Sequence, residues 1–282
     1  MRALKTSAVA GVIEALLMVA LVAVVLSMVQ LIYIPDIMEQ REAEHMDEVS
    51  NQFSYLKSMT DIQTVTEADA PMFTMITLGC EKLPYFVTVS SYGEVQIIED
   101  GETKIVADEG QPTEQSMTIN SLEYTAENIY FVRQTYALEG GGIFVKQPTG
   151  NSTVRADPPV YIIDKTVPDI VEIYFNLTKY VSYKNRSHLS GLSKCFIRTN
   201  YSHTEQIIDD YEVVWDIKIY TAYPHAWQDS LNDTIGDYVD VSLTTDGESD
   251  EFIVLIESTE KPIHLFASET VIYTQIGHGW IK

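Results

Sequence analysis

The chain has 282 residues, a formal net charge of −23 and a sequence pI near 4.4. A surface this acidic offers no basic patch to displace counterions from phosphates, so nucleic acid is excluded as a partner. The length beyond any anchor allows one large domain or two small ones, with a buried core.

The first feature along the chain is an apolar run at residues 8–34, which Pro35 ends. Three polar residues interrupt it, Glu14 among them. A helix needs about 20 apolar residues to cross a hydrocarbon core about 30 Å thick, and this run is longer. It is also longer than the roughly 7–15 apolar residues of a cleaved signal peptide. We therefore predict a retained transmembrane helix within a first region, 1–35, rather than a buried helix of a soluble protein.

The residues on either side of this run predict its orientation. Arg2 and Lys5 precede it, whereas residues 36–48 contain six acids against the single base Arg41. Lys and Arg favour the cytoplasmic side of a membrane. We expect a single-pass protein of the cell membrane, with its N-terminus in the cytoplasm, its C-terminal domain outside the cell, and membrane lipid as a partner.

Asn-X-Ser/Thr sites, which accept N-linked glycans, support the same topology. The chain has only eight asparagines, and five of them begin such a site. The five are Asn151, Asn176, Asn185, Asn200 and Asn232. Acceptors of this kind belong on exposed parts of extracellular proteins, so all five are glycosylation candidates.

A second region, 36–63, follows Pro35 and lacks both Gly and Pro. Apolar residues recur in it at spacings of three and four, as in an amphipathic helix. These residues are Met46, Val49, Phe53 and Leu56. We expect one long helix or two with a kink at Pro35, and we expect the apolar stripe to pack on the domain that follows.

The third region, 64–282, has the pattern of a β-protein. Short runs rich in Val, Ile, Tyr, Phe and Thr are separated by turn residues. The runs lie at 85–89, 94–98, 129–132, 142–146, 160–163, 170–175, 211–220, 238–243 and 252–256. One apolar and one polar face per strand predict antiparallel sheets in a β-sandwich, without a βαβ pattern. The predicted fold is mainly β, with one elaborated sandwich favoured and a possible boundary at the Pro/Gly-rich segment 147–159.

No catalytic motif, metal-ligand spacing or phosphate-binding loop is present in the sequence, so we predict no enzyme activity, cofactor or metal. Residues 139–142 are interpreted as a hairpin turn, and the acidic segment 246–251 as a solvated turn rather than a calcium site. Trp215 is expected in the core. Trp227 is expected in a loop, either in a minor core contact or facing a partner.

The two cysteines leave two interpretations open. Cys80 and Cys195 would form a disulfide suited to an extracellular domain, which in the chain-entropy model adds roughly 4–5 kcal/mol. Alternatively, both are separately buried thiols that behave as small hydrophobic side chains.

Residues 5–63 resemble the N-terminal spine of archaeal type IV pilin-like proteins. That spine has a short basic leader, an apolar segment with one glutamate near its start, and an amphipathic continuation that carries a β-rich head. The segment Ala-Gly-Val-Ile-Glu at residues 10–14 supplies the glutamate, although cleavage that makes Glu14 the fifth mature residue would follow Val9 rather than Gly or Ala. The β-region, including residues 128–136, looks like uncharacterised archaeal envelope proteins with the same N-terminal plan, and this wider likeness covers most of the chain.

The resemblance implies a role for Glu14 in assembly, where the acid pairs with a neighbouring subunit's N-terminal amine. The alternative is that Glu14 lies near the cytoplasmic interface and reaches headgroup water. The functional hypothesis is a structural or adhesive cell-surface protein, with other pilin-like or envelope subunits as partners. A ligand-binding ectodomain for a carbohydrate or a cation is the alternative from another class.

Overall fold

The computed structural model describes residues 2–80, 90–108, 114–163, 170–209, 214–245, 252–258 and 261–277. Within these ranges the protein is mainly β and begins with one long helix, as the sequence predicts. The expected strand at 85–89 and the acidic turn at 246–251 lie outside the described residues.

The helical part is continuous from residue 2 to residue 66. Helix α1 (Arg2–Met28) passes through a π-helical segment (Val29–Tyr33) into α2 (Ile34–Thr66). Pro35 has no N–H to donate, and its ring would clash with the carbonyl four residues before it in a regular α-helix. The wider π-helical segment directly before Pro35 is therefore where the predicted disturbance of the helix occurs. Glu67 ends α2 with a left-handed φ of 50°.

Fourteen strands are present in the described part of the chain, in two sheets. The first sheet has the order β1-β10-β14-β8-β7. Its strands are β1 (Met72–Thr77), β7 (Val160–Ile162), β8 (Val171–Ser182), β10 (Lys194–Asp209) and β14 (Ile263–Ile276).

The second sheet has the order β12-β13-β11-β2-β3-β4-β5-β6, with β9 also paired to β2. Its first strands are β2 (Tyr92–Ala107), β3 (Gln115–Glu127), β4 (Gln134–Glu139), β5 (Gly142–Lys146) and β6 (Thr153–Ala156). The others are β9 (His188–Gly191), β11 (Asp216–Tyr220), β12 (Asp240–Thr245) and β13 (Phe252–Glu257). The segment 147–159 thus contains β6, which pairs with β5.

Among the described strands, pairing is antiparallel except between two neighbours of the first sheet. Strands β8 and β14 run parallel over twelve residue pairs, from Val171 opposite Ile263 to Ser182 opposite Thr274. The expectation of purely antiparallel sheets is therefore wrong at this pair. Parallel neighbours need a long connection between them, and here most of the second half of the chain lies between β8 and β14.

Strand β2 spans the second sheet from end to end. Its first half pairs with β9 and its second half pairs with β11, on the same edge. Tyr92 and Ala107 therefore mark opposite ends of this sheet.

Two hydrophobic cores form, and both sheets contribute to each. One core contains α3 (Pro224–Ile235) together with residues such as Phe175 and Ile217. The other contains Met46, Val49, Phe53 and Leu56 of α2, packed with Ile76, Tyr124 and Ile197 among others. The four α2 residues expected to pack on the β-domain are thus buried there.

Three local expectations need correction. Residues 129–131 form a loop between β3 and β4 instead of a strand, because their N–H groups bond to a helix side chain rather than to a neighbouring strand. Trp215 is 52% exposed, because it precedes β11 in a bend instead of alternating with Ile217 and Ile219 inside it. Trp227 lies in α3 rather than a loop and is fully buried in a main core.

Candidate functional site

The apolar helix is exposed along most of its described length. From Val12 to Tyr33 its large hydrophobic side chains other than Val29 are exposed, and the helix is long and apolar enough to cross a membrane by length and composition. Glu14, the sequence-predicted assembly residue, is exposed among these apolar neighbours on α1. From residue 11 onward, the first helix thus extends away from the β-domain with exposed apolar side chains.

Glu42 joins the helix to the β-domain. Its side chain is 0% exposed, and its carboxylate accepts hydrogen bonds from three consecutive backbone N–H groups. Atom Oε2 accepts from Ile129 at 3.1 Å, Tyr130 at 2.7 Å and Phe131 at 2.7 Å, and Oε1 accepts from Ile129 at 3.2 Å. Successive N–H groups that converge in this way form an anion site, and here an acid of the same chain occupies it.

The loop that supplies these N–H groups, residues 128–133, has further support. The Asn128 side chain donates to the Val132 carbonyl across the loop at 2.9 Å. Tyr130 packs against a small apolar cluster of Ile34 and Met38 on the helix, and Val29 packs against the same cluster. The loop therefore contacts the helix on both sides of Pro35.

A second set of polar contacts fixes α2 along the edge strand β1. His45 donates from Nε2 to the Thr77 carbonyl at 2.9 Å, while the Thr77 N–H donates to Gln52 Oε1 at 2.8 Å. The Thr77 hydroxyl donates to Glu48 at 3.0 Å. Farther along, Gln63 donates to the Thr199 carbonyl at 3.0 Å. Because an open strand edge promotes association, these bonds also cover one edge of the first sheet.

The sequence contains a signal for the burial of Glu42, although the predicted apolar stripe does not include this residue. Glu42 follows Met38 by four residues and precedes Met46 by four, so it lies on the buried stripe rather than on the acidic outer surface. An acid inside an apolar stripe requires a dedicated partner, since burying an unpaired charge is costly.

Glu139 is a second buried carboxylate, at the end of β4. It accepts hydrogen bonds from the Trp227 indole N–H at 2.7 Å, the Thr221 hydroxyl at 2.7 Å and the Thr103 hydroxyl at 2.8 Å. Burial raises the pKa of Glu139 above its ordinary value, and these three bonds oppose the shift. The turn that follows it, with Gly140 and Gly141 at positive φ, lies in the hairpin expected at residues 139–142. With its oxygens engaged by neutral donors, Glu139 joins β2, β4 and α3.

The glycosylation candidates fall into two groups. Asn151, Asn185 and Asn232 are exposed. Asn176 and Asn200 are half-buried, and their side-chain amide groups donate to the Tyr161 hydroxyl at 3.0 Å and to Asp69 at 2.7 Å.

The two cysteines are thiols in the structure, so the disulfide interpretation is not realised in it. Cys195 is buried opposite Ile76 in the β1–β10 pair, whereas Cys80 follows Ile76 by four residues. Burial raises the pKa of the Cys195 thiol to about 11. Within the described residues, no group of three or more His, Cys, Asp or Glu side chains is placed to hold a metal ion.

Comparison with protein-family models, with curated proteins and with solved structures finds no match to this chain. The functional conclusion therefore depends on the apolar helix and on its attachment to the β-domain.

Proposed function

We propose that the chain is a single-pass, membrane-anchored cell-surface protein with a structural or adhesive role, as a minor pilin-like subunit. Its β-domain would be an antiparallel sandwich outside the cell, carried on an amphipathic stalk. The observation that supports this most is one continuous helix, apolar and exposed in its first half and bound to the β-domain by Glu42 in its second.

The exposed half of the helix requires a non-aqueous environment. Burying one Val, Leu or Ile side chain gains about 1.5–3 kcal/mol, and the large apolar side chains from Val12 to Tyr33 other than Val29 are exposed. A lipid bilayer, or the matching helices of neighbouring subunits, supplies that environment. The second half of the helix is bound to the β-domain and has little freedom to move relative to it. The position of the anchor in the membrane therefore fixes the position of the β-domain.

The flanking charges support the orientation. Arg2 and Lys5 precede the apolar helix and the acid-rich segment 36–48 follows it, which matches a cytoplasmic N-terminus. Protease added to intact cells should then remove the chain beyond about residue 36. Full protection of the β-domain until lysis would contradict the orientation.

A second experiment separates a pilin-like subunit from a solitary anchor. Glu14→Gln should leave membrane insertion and folding intact while it lowers the yield of crosslinks to envelope partners in native membranes. Glu39→Gln is the matched control, since it removes the same charge from an exposed position of the same helix beyond the apolar run. Equal crosslink yields from wild type and Glu14→Gln would contradict the pilin-like role.

N-terminal sequencing of the native protein provides an independent result. A pilin-like subunit should begin near residues 8–10, after removal of its leader. A retained Met1 would favour a simple membrane anchor.

A further inference from the structure

One end of the second sheet lies next to the apolar helix. Tyr92 begins β2 there, directly opposite Glu127 at the end of β3. On the other edge of β2, Gly93 pairs with Gly191, which brings Leu192 beside Tyr92. Loop 128–133 extends beyond this row. We call Tyr92, Leu192 and loop 128–133 the basal end.

Contacts within the chain fix the position of the basal end along the helix axis. Glu42 holds the N–H groups of residues 129–131, and Tyr130 packs against the cluster of Ile34 and Met38. Glu42 lies eight residues beyond Ile34, which is about 12 Å along a helix. The Tyr130 side chain therefore extends from the level of Glu42 back towards Ile34, where the apolar run ends.

The dimensions of a bilayer place that level among lipid headgroups. The run at residues 8–34 is about 40 Å long as a helix, whereas the hydrocarbon core is about 30 Å thick. The last residues of the run, such as Tyr33, then emerge into the interfacial layer where Tyr is enriched. Tyr130, packed beside this part of the helix, reaches the same layer.

The basal end carries exposed apolar side chains that suit this position. Tyr92 is 47% exposed, Ile129 is 45% exposed and Leu192 is 55% exposed. A single exposed hydrophobic residue is common on any protein, but these three lie at the end of the sheet that faces the apolar helix.

We propose that the basal end rests on the outer leaflet of the membrane, with Ile129 and Tyr130 in the headgroup layer. This inference rests on the membrane anchoring proposed above. Lipid is the expected occupant because the loop is bound to the same helix that crosses the bilayer. The contact is apolar rather than electrostatic, because the chain is strongly acidic and Arg133 forms an ion pair with Glu127. It should therefore form on uncharged phosphatidylcholine.

Site-directed spin labelling of the full chain in phosphatidylcholine nanodiscs tests the proposal. A nitroxide is attached to Ile129→Cys in a Cys80→Ser, Cys195→Ala background, and its collisions with oxygen and with a water-soluble nickel complex are compared. The Ile129 side chain makes none of the bonds to Glu42, so the substitution leaves them in place. A label at Leu192→Cys provides a second measurement at the basal end.

Two controls make the outcomes distinguishable. Leu21→Cys, on the exposed apolar helix, reports membrane anchoring itself. Trp215→Cys reports an exposed site at the opposite end of β2, where the Trp215 N–H donates to Asp108. We expect the label at 129 to show less nickel accessibility than the label at 215 and more than the label at 21, with an oxygen preference between those of the two controls.

If the label at 129 is as accessible to nickel as the label at 215 while the label at 21 is exposed to lipid, the basal contact is overturned. The proposed membrane anchoring would still stand in that case. Protection of position 129 from both reagents would also overturn it, because protein would then cover the loop. A water-accessible label at 21 would instead contradict the anchoring.

Discussion

The bond network of Glu42 makes a quantitative prediction for Glu42→Gln. The amide oxygen of Gln can replace Oε2 as the acceptor for residues 129–131, but it carries no charge. A hydrogen bond to a charged group contributes about 1.5–3 kcal/mol and a neutral one about 0.5–1.5 kcal/mol. Because two of the bonds to Oε2 are only 2.7 Å long, we expect the attachment of the loop to weaken by about 2 kcal/mol in total.

The loss should appear locally, as faster hydrogen exchange of the amides at residues 129–131. A weakening of about 2 kcal/mol corresponds to roughly thirtyfold faster exchange when the loop opens locally. Exchange is measured by mass spectrometry on the full chain in nanodiscs, with strand β5 as an internal reference. Glu42→Ala should have a larger effect, since it leaves three N–H groups without their acceptor.

Glu39→Gln is the control, because it removes the same charge from an exposed position one turn earlier. It should leave exchange of the loop unchanged. Equal protection of residues 129–131 in Glu42→Gln and Glu39→Gln would refute the assignment of Glu42 as the residue that joins helix and head.

Three other predictions follow from the β-domain. Because burial raises the pKa of Glu139 above 4.5, the folded state binds its proton more tightly than the unfolded state. Stability should therefore fall as pH rises from about 4.5 through the raised pKa, and Glu139→Gln should remove that decline in chemical unfolding. Gly140→Ala should cost about 1–2 kcal/mol because φ is +58° there, whereas Gly191→Ala, with ordinary contacts, should change melting much less. Denatured, unreduced protein should alkylate at both Cys80 and Cys195, and the native protein should label Cys195 slowly; a failure of both to label after denaturation would indicate a disulfide.

The sequence by itself determined the fold class, which is mainly β with a long N-terminal helix, and the order of these elements along the chain. A long apolar run and a period of three to four residues are local patterns, so the helix and its buried residues Met46, Val49, Phe53 and Leu56 were predictable. The β character of the rest follows from composition and turn residues in the same way. The hairpin at 139–142 was predictable because consecutive glycines accept positive φ.

Only the tertiary structure decided which distant residues meet. Glu42 could be recognised as an acid on an apolar stripe, but its partners at residues 129–131 lie 87 to 89 positions away. Those residues have the composition of a strand, yet their N–H groups turn to the helix carboxylate, which local propensity does not report. Trp215 and Trp227 were misplaced for a related reason. Burial of a single aromatic residue depends on where its strand or helix begins and on what packs against it, and neither is encoded in a short window of sequence.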